Sequence, residues 1–376
     1  MKKNISIVTL LSTFAILIAG ALIMISCEGP AGPAGPPGAD GIDGEDGAPG
    51  MDASTTCTEC HNDDQVIVTR TKQYSISGHA TGHSSGYANR SYGPLYNCAG
   101  CHSSQGFLDN LIGESNLPYS NITQPNCYTC HKIHQTYTED DWDLTKPDMT
   151  VPATGSEGVD MGSGNQCTSC HQAVAQYLVN SSELFENFDD GGNTSVELTS
   201  DELRVGVHHA PQYNILAGID LFEFPGDAEY PDDNHVLMKA EDGCVTCHMN
   251  DGFGDLTGHS MAMTYSFHGP EYNWPASCLD CHEEESDMDL NEIIESIHTD
   301  IDALMVTLYD LLVAAEIMYP ADGDNAYLIM PGTFTTDLVA AHVNYNAIRE
   351  DRSMGFHNPE YVEAVLENSI EALSAK

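Results

Sequence analysis

Six copies of the pentapeptide C-x-x-C-H run along the chain: CTECH from Cys57, CAGCH from Cys98, CYTCH from Cys127, CTSCH from Cys167, CVTCH from Cys244 and CLDCH from Cys278. Random placement of 13 Cys and 17 His in 376 residues would yield only about 0.02 copies, so the repeat carries chemistry. Two thiols beside an imidazole can build a disulfide, a zinc site, a redox dithiol or a haem anchor. A redox dithiol needs one such motif beside a βαβ pattern, and structural zinc more naturally takes paired C-x-x-C without the histidine. On one turn of helix, positions i, i+3 and i+4 share a face, so two thioether bonds and one imidazole converge on a single porphyrin. The expectation is six haem c groups. Their anchors are Cys57 and Cys60, Cys98 and Cys101, Cys127 and Cys130, Cys167 and Cys170, Cys244 and Cys247, and Cys278 and Cys281, with His61, His102, His131, His171, His248 and His282 as proximal iron ligands.

Eleven histidines lie outside the motifs, enough to close the sixth position of every iron. In CYTCHKIH, His134 stands three residues after His131, too near to fold back across the same porphyrin but able to reach a neighbouring one. At this point the chain resembles multihaem c-type cytochromes, in which C-x-x-C-H-x-x-H places its second histidine on an adjacent haem. The stretch QYSISGHATGHSSGYANRSYGPLYNCAGCHSSQGF is similar to a family segment whose S-x-H histidine is a ligand, which implies His79. HHAPQYNILAG followed by FEFPGDAEYPDDNHVLMKAEDGCVTCHM implies His208 or His209, and His235; GHSMAM implies His259. The C-terminal EDRSMGFHNPEYVEAVLENSI resembles the G-x-H-N-P element of octahaem cytochromes and ammonia-forming nitrite reductases, which implies a distal role for His357. Taking His209 from its pair, the resemblance supplies six distal ligands: His79, His134, His209, His235, His259 and His357. Methionine can also ligate haem iron, but the fourteen methionines are more simply core or porphyrin-packing residues.

The elements that must position these groups read as follows. Residues 1–26 have the layout of a signal peptide, Lys2 and Lys3 before an apolar run from Ile5 to Ile25; a retained membrane anchor is the other reading of the same run. Cys27 is the odd cysteine, and MISC resembles a bacterial lipobox, so lipidation at Cys27 is favoured over a free thiol. Glycine at every third position from Gly29 to Gly50 has the collagen period, and residues 27–52 are read as a tether rather than a stable trimer, reaching on the order of 70 Å. Residues 53–286 hold all six motifs in segments rich in Gly, Ser, Asn and Asp, and so predict a fold that is mostly loop with short helices wrapped around six haems. Such segments bury too little apolar side chain for an ordinary core, so porphyrin faces must supply the missing surface. Residues 287–376 predict a C-terminal α-helical segment. Leu290, Ile293, Ile294, Ile297, Ile301, Leu304, Met305, Leu308, Leu311 and Leu312 mark a long amphipathic helix, a second begins near Thr336, and a third has Asn358 as N-cap and Pro359 as its first residue. His298 and His342 fall on these helices as packed or solvated residues, and His83 and His268 are weak ligand candidates.

A net charge of -45 sets nucleic acid and anionic lipid headgroups aside as partners and suits cationic carriers, metal oxidants or a purely solubilising role. The function class that fits is an exported electron carrier at a membrane or cell surface, exchanging electrons with other cytochromes or redox proteins and held to the membrane by a lipid. Against it stands a multihaem reductase of nitrite, hydroxylamine or a sulfur oxyanion with one open haem. The nitrite reductases resembled here replace one motif histidine by lysine, and this chain has no C-x-x-C-K. A subunit of a cytochrome filament ranks below both.

Overall fold

Short helices separated by loops occupy the motif-bearing part of the chain, and long helices take over from Asp287. The computed structural model describes residues 61, 65–82, 86, 88–89, 98–114, 118–152, 156–173, 188, 194–199, 205–207, 209–231, 242–282, 286–322 and 327–375. The apolar run, Cys27, the G-X-Y stretch, Cys57, Cys60, His83, His208 and His235 lie outside the described residues. Among the described residues, no helix is long and apolar enough to cross a membrane.

The first helices are α1 (Gln65–Ile76), α2 (Gly78–Thr81), α3 (Ala99–His102), α4 (Ser104–Leu111), α5 (Cys127–Cys130) and α6 (Asn165–Thr168). They stay short because capping residues interrupt them. Ser103, in extended backbone with φ -153°, ends α3, and its hydroxyl accepts the N–H of Gly106 at 3.0 Å to start α4. Asn126 caps α5, accepting from the Tyr128 N–H at 3.0 Å, while the Thr129 hydroxyl accepts the Asn126 N–H at 2.8 Å. Further along are α7 (Gln212–Ala217), closed by the left-handed Gly218 at φ +65°, and α8 (Cys244–His248). Met161, Tyr213 and Leu216 form a small buried cluster here.

The large apolar core belongs to α9 (Asp287–Ala314), α10 (Thr336–Asp351) and α11 (Pro359–Ser374). Ser286 and Asp289 form a capping box that starts α9. Leu290, Ile294, Ile301, Leu308 and Leu312 are buried at three- and four-residue spacings, with Ile297 and Leu304 half-buried between them. Ile293 falls off that stripe and is 49 % exposed, which corrects its place in the predicted face. Leu308, Leu312, Val339, Val362 and Val365 are fully buried, each worth about 1.5–3 kcal/mol of transfer free energy. Asn358 holds the N-cap position of α11 with Pro359 next, as expected, but its side chain makes no capping hydrogen bond.

Segments from before α9 complete this core. β1 (Ser195–Leu198) pairs antiparallel with β4 (Gly332–Thr335), from Ser195 opposite Thr335 to Leu198 opposite Gly332. Leu198, Ile215, Leu221, Phe222 and Phe224 are buried in the same cluster as the helices. The amide of buried Asn344 on α10 accepts from the Phe222 N–H and donates to the Phe222 carbonyl, both at 2.8 Å. The C-terminal helices therefore act as a platform against which the motif region is anchored. A second hairpin, β2 (Thr264–Ser266) and β3 (Glu271–Asn273), projects between the last two motifs.

Candidate haem sites

Each described motif folds as one helical turn, closed by its own histidine. The N–H of His102, His131, His171 and His282 donates to the carbonyl of Cys98, Cys127, Cys167 and Cys278 at 2.8–2.9 Å, and the Cys244 motif is α8 itself. This is the local geometry that puts positions i, i+3 and i+4 on one face. All ten described motif cysteines are free of disulfides.

The histidines meet in pairs, and each pair joins one motif histidine to one distal candidate. Ring centroids are 6.0 Å apart for His61 and His134, 6.0 Å for His79 and His171, 6.3 Å for His131 and His259, and 6.3 Å for His248 and His357. With a metal–imidazole bond of about 2.0 Å and about 1.1 Å from nitrogen to ring centre, two imidazoles on opposite sides of one metal place their centres about 6.2 Å apart. Among the described residues no group of three or more His, Cys, Asp and Glu side chains gathers for a metal ion. Two imidazoles per site, with the two motif cysteines described beside three of the four pairs, are the donor types that would hold haem c. His134 pairs with His61 and not with its neighbour His131, as the short spacing requires.

In four of these eight histidines Nδ1 faces a protein acceptor, which fixes the ring and leaves Nε2 for a metal. Nδ1 lies 2.6 Å from the Trp142 carbonyl in His131, 3.2 Å from Gln212 Oε1 in His171, 3.0 Å from the Met261 carbonyl in His248 and 2.6 Å from Asp351 Oδ1 in His357. Burial lowers the pKa of His79 to about 4, with His171 adding to the effect, and lowers that of His259 to about 4, with Arg70 and His131 adding. Both are neutral imidazoles at neutral pH, the form that ligates. In His357 burial acts the same way but the Asp351 carboxylate outweighs it and raises the pKa.

His134 is held by a device the sequence does not advertise. Its backbone is left-handed, φ +63°, and the buried carboxylate of Asp141 gathers the loop around it. Asp141 accepts the N–H groups of His134 at 2.9 Å, Gln135 at 3.1 Å and Thr136 at 2.7 Å, with Tyr137 at 3.2 Å and the Thr136 hydroxyl at 2.9 Å. A carboxylate with that many donors fixes a loop as a short element of regular structure would.

One cavity of about 2370 Å³ runs through the site, more than twice the roughly 300–1,000 Å³ of an ordinary ligand pocket. Motif cysteines from Cys98 to Cys278 line it, as do the four histidine pairs. The motifs also lie side by side: the Cys101 thiol neighbours that of Cys170, and the Cys167 thiol that of Cys244. Cys170 Sγ lies 3.9 Å from the Gly100 carbonyl.

His209 also lines the cavity, with Nδ1 on Glu350 Oε2 at 2.5 Å; Glu350 in turn binds Arg349 at 2.6 Å. His298, read as a packed or solvated residue, is half-buried at the cavity wall, whereas His342 is fully buried inside α10, away from the cavity. His268 is exposed on the β2–β3 turn. The residues that sequence reasoning missed are the supports: Asp141, Asp351, Gln212 and the two backbone carbonyls. For the carbonyls of Trp142 and Met261 no sequence signal exists, since every residue carries one.

No family model matches the chain, and no curated protein matches it. Among solved structures, the crystal structure of outer cell wall cytochrome OcwA is similar, with a TM-score of 0.47 and 20 % identity over 81 % of this chain and 50 % of that one. The chain thus spans about half the length of that cytochrome.

Proposed function

We propose that this chain is an exported multihaem c-type cytochrome, an electron carrier with six covalently bound haem c groups whose irons are closed on both faces by histidine. The observation that carries the reading is the set of four imidazole pairs, each one motif histidine and one distal histidine, at the spacing that a shared metal demands. Haem iron supplies one-electron ferric–ferrous chemistry when bound. The chain's own residues do the rest. The cysteines would bond the group covalently, the paired imidazoles would hold its iron and leave no position for a small oxidant, and carbonyls and a carboxylate on Nδ1 hold the rings. Cys101 beside Cys170, and Cys167 beside Cys244, would keep the groups bonded at those motifs close. His235 and either His208 or His209 complete the distal set in this reading, with His102 and His282 as their proximal counterparts.

Export follows from the N-terminal layout, lipid attachment is assigned to Cys27, and the glycine-repeat tether lifts the body from the membrane toward the cell surface. Partners are other cytochromes or redox proteins, cationic carriers or metal oxidants. Intact-mass analysis of the purified mature protein tests the reading: a mass equal to the processed polypeptide plus six haems is expected, and a colourless product at the polypeptide mass overturns it.

A further inference from the structure

The β2–β3 hairpin carries a strip of aromatic rings that the haem sites do not use. Tyr265 and Tyr272 face each other across the strands with centroids 5.5 Å apart; Tyr265 meets Trp274 at 6.3 Å, and Trp274 stacks on Phe253 at 5.6 Å and 7°. Phe253 is 68 % exposed, and Tyr265 and Tyr272 about two-fifths. Phe253 is held out by a tight turn in which it and Leu256 exchange backbone hydrogen bonds at 3.1 and 3.2 Å. Trp274 reaches inward, forming part of the cavity wall immediately before the turn Pro275–Asp280 that bears Cys278. The strip thus connects open solvent to the edge of a motif.

Between residues 249 and 282 the charged side chains of the Asp/Glu/Lys/Arg class are four exposed acids: Asp251 and Asp255 flank Phe253 in the chain, Glu271 precedes Tyr272, and Asp280 lies in the turn after Trp274. A solvent-facing aromatic centre with a charged rim has the anatomy of a protein docking surface, in which aromatic residues carry most of the binding energy and rim charges steer the partner. The occupant follows from charge. A second copy of this chain, itself at -45, is repelled, whereas a lysine-rich face is attracted and can pack its stems and ammonium groups on the rings. Four rings in a row extend further than one planar small molecule covers.

We infer that this strip docks a basic electron-transfer protein, placing it against the cavity wall at the Cys278 motif. The inference rests on the electron-carrier reading for its purpose. In the exchange one electron leaves the reduced chain and reduces the partner, with no bond made or broken and no proton moved.

The test uses the full-length holoprotein and mitochondrial cytochrome c, a lysine-rich probe, with binding followed by calorimetry and electron transfer by stopped flow. The triple variant Phe253→Ser, Tyr265→Ser, Tyr272→Ser is expected to weaken binding by about tenfold or more. Neutralising Asp251, Asp255, Glu271 and Asp280 to amides is expected to slow association by about tenfold, while the same change at Glu292, Glu295, Asp302 and Asp310 on α9 alters it less than about twofold. Equal effects of the two charge sets, or unchanged binding in the ring variant, overturn the inference. So does ring-dependent binding of methylene blue, a planar cation, with no ring dependence for cytochrome c. Normal docking to a chain that carries no haem would fault the electron-carrier reading and leave the docking surface standing.

Discussion

The carboxylate of Asp141 accepts the backbone N–H of His134 at 2.9 Å, and the His134 ring centre lies 6.0 Å from that of His61. One acidic side chain thereby governs whether the first motif has a second imidazole. Asp141→Ala removes the acceptor for at least four N–H groups and releases the left-handed turn. The expected result is one high-spin haem per chain, seen in the optical spectrum of the oxidised protein and reversed by added imidazole, with haem content unchanged. An entirely low-spin variant would mean that the loop holds His134 without Asp141.

Ring orientation differs between the pairs. His79 and His171 are crossed at 78°, whereas His61 with His134 and His131 with His259 lie at 25° and 28°. Crossed axial planes leave the two relevant iron d orbitals nearly degenerate, and parallel planes split them. Low-temperature paramagnetic resonance should therefore show rhombic low-spin signals together with at least one strongly anisotropic signal, and His79→Ala should abolish the latter alone.

Helix α3 and helix α4 cross at a glycine. A Cβ on Gly106 would sit 2.4 Å from Ala99 Cβ and 2.5 Å from the Ala99 carbonyl oxygen, so backbone and not a flexible side chain would have to yield. Gly106→Ala should cost about 1–3 kcal/mol by overpacking. Alanine raises helix propensity elsewhere, so a stabilised variant in chemical denaturation would show that the two helices separate without cost.

His342 is a fully buried imidazole whose pKa burial depresses to about 4, with Arg349 opposing protonation further. Above pH 6.5 it is neutral folded or unfolded and contributes nothing to the pH dependence. As pH falls from 6.5 toward 4 the unfolded chain takes a proton that the folded one refuses, so stability is lost across that window, by roughly 3 kcal/mol. His342→Gln should flatten this part of the curve in urea unfolding at pH 7 and pH 5, relative to the unaltered chain. An unchanged slope would assign the loss to other groups.

How much of this was legible in the residues depends on the range of the interaction. The motif turns are local, so C-x-x-C-H spelled out their geometry, and the three C-terminal helices followed from apolar spacing with only Ile293 misplaced. The four candidates His79, His134, His259 and His357 came from spacing and resemblance, and each lies beside a motif histidine distant in sequence. Which histidine meets which is a product of tertiary packing that no spacing rule encodes. Asp141 is one of 57 acids and nothing in EDDW sets it apart. The anchoring of the motif region on α9, α10 and α11 through β1–β4 pairing and Asn344 was equally silent, because a four-residue strand has too short a pattern to read.

Spin quantitation by paramagnetic resonance on the fully oxidised, purified holoprotein addresses the paired-imidazole arrangement itself. Low-spin ferric signals integrating to six per chain, with no high-spin component and no change on adding nitrite or cyanide, are the predicted result. A high-spin component near one sixth of the iron that binds either anion, or a chain without haem iron, would contradict it.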